Sequence, residues 1–249
     1  MISISAKIQG QSHHVTRRID PAQKQTTVRY DIPTGGTVYG AALNYKEELT
    51  QFGDDLHNAP YNRPSEAPVL YIKPKNTLVA DQSPIPVPDK TEYLEVGAAL
   101  GIVFDRETCR VSVEDALDYV AGYTIANDVS IPHKSLHRPA IKEKSRDGFC
   151  PIGPWIALRE SVPNPDDLTV RVSINQTIKQ TASTRSLVRD IPHLIADVSA
   201  FMTFSAGDVL LVGTPPNRPT FQRGDTVTIE IEGIGTLVNT AQDEREVNR

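Results

Sequence analysis

The chain has 249 residues, 39% hydrophobic and 23% charged, with a formal net charge of -5 and two cysteines, Cys109 and Cys150. That is enough chain to bury a core unaided, and the cysteines make neither a disulfide framework nor a zinc cluster. The acidic balance argues against nucleic acid, no apolar run approaches the roughly 20 residues of a membrane span, and the polar amino terminus with unpaired thiols suits the cytoplasm.

MISISAKI and TTVRYDI alternate polar and apolar residues, and Pro33-Thr34-Gly35-Gly36 ends them. They predict a small β-hairpin segment over 1–34, ahead of a main body at 35–249. Val38 to Leu43 is an apolar strand that leads into Asn44-Tyr45. Asn58 to Pro68 holds three prolines and predicts a surface loop. Val69 to Ile72 reads as a short buried strand closed by Lys73-Pro74, and 81–90, with Pro84, Pro86 and Pro88, as a non-helical connector.

Further along, Glu95 to Phe104 predicts one strand, and Ser112 to Ala116 a helix cap with acids in the first turn. Tyr119 to Ala126 is an apolar strand that delivers Asn127-Asp128 at its end. Leu168 to Ile174 alternates as a half-buried strand, and Ile191, Leu194, Ile195, Val198 and Phe201 recur at helical spacing. Val209 to Val212 and Val227 to Ile231 are strands, each after a Gly-Asp turn. With no repeat and no parallel βαβ rhythm, the fold class is α+β, mostly β, with a few short helices.

The chemistry concentrates between Asn127 and Pro154, where Lys134, Arg138, Lys142, Lys144 and Arg146 follow a buried strand. Such a loop can hold an anionic small molecule, because Arg forks a carboxylate and Lys supplies a point charge; it can equally be solvated surface. At Leu211 to Pro215 a strand stops abruptly at Gly213-Thr214, presenting a hydroxyl and N–H groups or simply turning. His133, His137 and His193 lack metal-ligand spacing. Neither a phosphate-cradling loop nor a nucleophile elbow is present.

Five pieces in order carry a resemblance: Ala42-Leu43-Asn44-Tyr45; Ile72-Lys73-Pro74 with Asn76-Thr77; Tyr119 to Tyr123 with Asn127-Asp128-Val129-Ser130; Lys144 to Asp147 with Pro151-Ile152-Gly153-Pro154; and Gly207-Asp208 with Gly213-Thr214-Pro215. Over residues 38–240 the chain resembles the fumarylacetoacetate hydrolase (FAH) family. Arg138 to Lys142 and Arg146 to Gly153 liken it to the family's decarboxylase/isomerase branch in aromatic catabolism, in its half-domain or single-subunit form.

The resemblance implies a mixed β-roll or sandwich and a homodimer or a heteromer with a sister subunit. It further implies a lyase of the decarboxylase type, with isomerase as companion activity, acting on an unsaturated 2-oxo polycarboxylate such as 5-oxopent-3-ene-1,2,5-tricarboxylate. The alternatives are a family isomerase, hydratase or C–C hydrolase on a related oxo acid, or a non-catalytic partner subunit. Family members that use metal hold a magnesium-like divalent ion with two Glu of a Glu-x-Glu strand and one Asp. Asp128 is the counterpart of the Asp, whereas Gly97 and Ala99 stand at the glutamate positions and weigh against the ion. Glu95, two residues early on the same strand face, is the remaining candidate ligand beside Asp128.

The implied roles follow from the same likeness. Lys144, with Lys142, stabilises negative charge; Arg138 clamps a distal carboxylate; Asn44 and Thr214 hold the oxo-acid end. Glu48, near the place of the family's lid histidine, delivers a proton, and Asp128 binds the ion or orients Lys144.

Overall fold

The computed structural model describes residues 1–21, 28–53, 57–58, 63, 65–133 and 140–247. In chain order the strands are β1 (Ile2–Lys7), β2 (His14–Ile19), β3 (Val38–Ala42), β4 (Val69–Lys73), β5 (Leu78–Val79), β6 (Pro84–Val87), β7 (Leu94–Glu95) and β8 (Ala98–Phe104). They continue with β9 (Val120–Asn127), β10 (Cys150–Leu158), β11 (Thr169–Ile174), β12 (Thr177–Ser183), β13 (Val209–Leu211), β14 (Thr220–Phe221), β15 (Thr226–Ile231) and β16 (Gly235–Asp243). The helices are α1 (Lys46–Phe52), α2 (Ile141–Lys144), α3 (Ile191–Ser199) and α4 (Glu244–Val247).

The main sheet runs β2-β1-β10-β9-β8-β13-β3-β4, with β5 parallel to the start of β10. A second sheet runs β12-β11-β15-β16-β6, and β14 pairs with β7 alone. The expected mostly β, α+β architecture is therefore what the chain adopts. Strand β8 is buried along its whole length, as a central strand of near-continuous apolar sequence should be. By contrast β11 alternates buried and half-buried residues, with one face on the core. Trp155 of β10 ties the two sheets together: its Nε1 donates to the Ile234 carbonyl at 2.8 Å, and its ring meets Tyr30 edge-on at 5.4 Å. Helix α3 is capped by the Asp190 carboxylate, which accepts from His193 N at 3.0 Å, and it buries Ile191, Leu194, Ile195 and Val198. Among the described residues no helix is long and apolar enough to cross a membrane.

Several local expectations change. The hairpin partner of β1 is β2, not TTVRYDI; of that stretch, Tyr30 makes only a bridge to Ile8, and 26–27 lie outside the described residues. Strand β1 also pairs with β10, so the hairpin extends the main sheet. Strand β4 is an edge strand with Ile72 57% exposed rather than a buried one. Two of the three prolines in the expected connector sit in β6, at the rim of the second sheet, where the ladder tolerates missing N–H groups. The predicted strand from Glu95 to Phe104 breaks at Val96-Gly97 into β7 and β8. Phe201 lies beyond the end of α3 and is exposed, off the apolar face assigned to it.

One part of the interior is aromatic. Phe204, fully buried, stacks on Phe104 at 4.2 Å and meets Tyr39 edge-on at 5.6 Å. Phe204→Ala should therefore cost about 3–5 kcal/mol, the range for emptying a packed aromatic site, measured as a lower urea midpoint at unchanged slope.

Candidate active site

The site is built just past the end of the β8–β9 ladder. Ala98 pairs with Asn127 at the end of the β8–β9 ladder, and Asn127 Oδ1 accepts from Gly97 N at 2.9 Å. The chain then turns so that Asp128 N donates to Gly97 O at 2.8 Å and Ser130 pairs with Glu95. This detour drops the Asp128 side chain into the interior, 1% exposed.

Two lysines meet it there. Lys73, the last residue of β4, is wholly buried and places Nζ 2.9 Å from Asp128 Oδ1, an ion pair rather than an aligned hydrogen bond. The same Nζ donates to the Lys144 carbonyl at 2.6 Å, tying β4 to the end of α2. Lys144 Nζ donates to Asp128 Oδ2 at 2.5 Å and keeps 17% of its side chain exposed, so it is the lysine a ligand can reach. Tyr71, two residues before Lys73, carries its ring 5.2 Å from Lys144 Nζ and its hydroxyl buried against Asp128. Gly40 lies opposite Tyr71 in the ladder, and a Cβ there would stand 2.2 Å from Tyr71 Cζ, so glycine makes the slot for the ring.

The electrostatics follow from burial and charge. Burial alone would raise the Asp128 pKa, but the Lys144 and Lys73 ammoniums outweigh it and hold the carboxylate well below its usual range. Burial lowers Lys144, helped by the charges of Arg218 and Lys73 and opposed by Asp128. Burial also raises Glu48 on α1, offset in part by Arg218, the Leu43 N–H and Lys144. Cys150, behind the cluster, is pushed up to about 12 by burial and stays a neutral thiol.

The expected site residues thus fall into groups. Lys144, Asp128 and Glu48 come together, and Glu95 stands beside them, accepting from Ser130 Oγ at 3.3 Å. Asn44 is turned to scaffolding: its Nδ2 donates to Val212 O at 2.8 Å and Arg189 O at 3.2 Å, and its Oδ1 accepts from Arg189 N. Thr214 is buried just past β13, behind Gly213 at φ +117. Lys142 is exposed on α2, and Arg138 lies outside the described residues. Sequence reasoning missed Lys73, Tyr71 and Arg218 as site residues. For Lys73 the signal was a lysine closing an apolar strand directly before a proline; nothing local marked the other two.

The residues present do not fit the family's divalent ion. Both Asp128 oxygens are engaged by ammonium groups, at 2.9 and 2.5 Å. A Cβ on Gly97 would stand 2.3 Å from the Asp128 carbonyl oxygen, so no carboxylate fits there without moving the backbone. Ala99 belongs to an apolar cluster with Cys150, Ile152 and Leu211. Among the described residues no group of three or more His, Cys, Asp and Glu stands close enough to hold a metal. A hard divalent cation asks for about six oxygens, and the arrangement offers ammoniums instead.

A model of the fumarylacetoacetate (FAA) hydrolase C-terminal family matches residues 37–242, and the chain belongs to that family. It is 41% identical over 212 residues, 85% of this chain, to the 4-hydroxyphenylacetate degradation bifunctional isomerase/decarboxylase of Escherichia coli, of which it covers 48%. The chain thus spans about half the length of that relative. Its fold matches the 5-carboxymethyl-2-hydroxymuconate delta-isomerase from Mycobacterium smegmatis with TM-score 0.78 and 28% identity, covering 96% of this chain and 98% of that one. It also matches maleylpyruvate hydrolase from Sphingobium sp. SYK-6, solved with manganese and pyruvate, with TM-score 0.72 and 26% identity over 87% of this chain and 74% of that one.

Removing the carboxylate would leave two buried cations facing each other. Asp128→Asn should cost about 3–5 kcal/mol at pH 7, the penalty for breaking one side of a buried ion pair, read by urea denaturation. Because the lysines hold Asp128 below its ordinary 3.8, its contribution is fully present above that value and is lost as pH falls through the folded-state pKa. The gap between wild type and Asp128→Asn should therefore close in acid.

Proposed function

We propose that this chain is a decarboxylase, with isomerisation as companion activity, acting on an unsaturated 2-oxo polycarboxylate such as 5-oxopent-3-ene-1,2,5-tricarboxylate in aromatic catabolism. Residues 35–249 form its catalytic body. The observation that carries the reading is the reachable Lys144 ammonium, held 2.5 Å from a buried carboxylate beside a carboxyl whose pKa is raised. The 41% identity to an isomerase/decarboxylase supports the reaction class.

Breaking the C–C bond to the leaving carboxylate releases CO₂ and leaves the electron pair on carbon. Conjugation carries that charge through the double bond to the 2-oxo oxygen as a dienolate. A preorganised cation at that oxygen lowers the barrier, and Lys144, fixed by Asp128 and backed by Lys73, is the group that would supply it. Glu48, kept protonated further up the pH scale by burial, then gives its proton to carbon and regains one from solvent. Moving a proton between two carbons of the same dienolate is the isomerase reaction, so one charge-stabilising site serves both. Asp128 never titrates in this cycle; it positions Lys144.

The second reading, a non-catalytic partner of a metal-competent sister chain, draws on Gly97 and Ala99 at the family's glutamate positions. A spectrophotometric assay on the purified chain separates the two, run with magnesium and again with excess chelator. Turnover that survives the chelator is the expected outcome; a folded chain inactive in both conditions would favour the partner reading.

Lys144→Met should lower kcat by about 10²–10³, as loss of one oxyanion-stabilising donor does elsewhere, and should lower the melting temperature without abolishing folding, because Asp128 keeps Lys73 as its partner. Turnover with the natural Glu48 should fall as pH rises through its raised pKa, because the acid form is the donor. Glu48→Gln should slow the reaction and remove that alkaline limb from the pH profile.

A further inference from the structure

Arg218 lies in the loop between β13 and β14, and the loop is pinned from both sides. Gln180 Nε2 donates to Pro216 O at 2.7 Å, Gln51 Nε2 to Asn217 Oδ1 at 3.1 Å, and Val96 N to Pro219 O at 2.9 Å. These anchors turn the Arg218 side chain into the site, 22% exposed, between two carboxylates. Its Nη2 stands 3.8 Å from Glu48 Oε1 and its Nη1 3.9 Å from Glu95 Oε2. Both separations are ion pairs beyond hydrogen-bond reach. Among the described residues the guanidinium donates no hydrogen bond.

That is unusual within this molecule. The other half-buried arginines are engaged: Arg146 donates to Glu244 at 3.0 Å, Arg171 to Glu230 at 2.9 Å and Arg189 to Asp197 at 2.8 Å. A guanidinium has five donors in a rigid fork, and leaving them unmatched in a half-buried site is costly unless something else takes them. Its charge also reaches the catalytic cluster, acting on both Asp128 and Lys144. The site thus has a reachable ammonium, Lys144, and a planar fork, Arg218, held only by two long ion pairs.

We propose that Arg218 binds a second carboxylate of the substrate, leaving its two long ion pairs for a bidentate one, and so selects 2-oxo acids that carry two or more carboxylates. The proposal rests on the 2-oxo acid reading above: Lys144 takes the oxo-acid end and Arg218 the distal end. A planar fork suits this role better than an ammonium, because it matches the two carboxylate oxygens at once.

The test is calorimetric titration of the purified chain with pyruvate and, separately, with 2-oxoglutarate, repeated on Arg218→Gln and Arg218→Lys. Wild type should bind 2-oxoglutarate more tightly than pyruvate. Arg218→Gln should weaken 2-oxoglutarate by roughly tenfold or more, the size of a charge-assisted contact, and change pyruvate by less than about threefold. Arg218→Lys should fall between, keeping charge without the fork. Equal weakening of both acids, or unchanged 2-oxoglutarate binding in an Arg218→Gln protein that melts like wild type, would overturn the assignment. Wild type that binds pyruvate with no preference for the diacid would overturn it too, while leaving the oxo-acid reading standing. Wild type that binds neither acid would remove both.

Discussion

The buried ion cluster of Lys73, Asp128 and Lys144 is the constraint on which the rest of the site depends. One carboxylate, 1% exposed, is shared by two ammonium groups that reach it from different parts of the fold. Lys73 comes from an edge strand of the main sheet, Lys144 from the end of a four-residue helix, and Asp128 from the turn just past a central strand. Lys73 also bonds the Lys144 carbonyl, so the position of the reachable ammonium is set twice, by its charge partner and by its own backbone. A short helix has little stability of its own. Without these ties, nothing at the end of α2 would hold a lysine side chain still.

The cluster also explains why the family's metal ligands can be absent without leaving a hole. At Gly97 the backbone of β9 closes onto the place where a side chain would start, and its hydrogen bonds with Asn127 and Asp128 need that approach. At Ala99 the side chain completes a dry apolar cluster. The chain itself supplies positive charge at the site, from Lys73 and Lys144. An ammonium accepts no lone pair as a divalent ion does, yet its charge and hydrogen bonds still stabilise an oxyanion when it is fixed before the reaction begins. Three cations, Lys73, Lys144 and Arg218, stand beside the carboxylates of Asp128 and Glu95, while burial favours the neutral form of Glu48.

The α+β class, the acidic composition, the lack of a long apolar run and the family likeness are all legible without coordinates. They rest on local patterns: apolar runs such as Leu100 to Phe104, the helical spacing of Ile191 to Val198, and motif order along the chain. Lys144 and Asp128 were likewise visible, because they stand inside those motifs. Strand β10 was not, since prolines at 151 and 154 make Cys150–Leu158 look like a loop. The sheet accommodates both: Pro154 falls in the irregularity between Gly153 and Ala157 of the β9–β10 ladder, and Pro151 lies opposite the two-residue β5.

Only the tertiary structure could bring Lys73 to Asp128, place Arg218 between Glu48 and Glu95, or turn Asn44 from a ligand candidate into a brace. These pairs are separated by 55, 170 and 123 residues, counted from their numbers, or by 168 for the bond from Asn44 to Val212. No period or spacing rule reaches that far, because such contacts depend on sheet order and loop direction. By itself the sequence determined which chemistry-bearing residues exist and the segments that carry them. Folding decided which of them share a charge, since Coulomb attraction and desolvation act on distances in space and not along the chain.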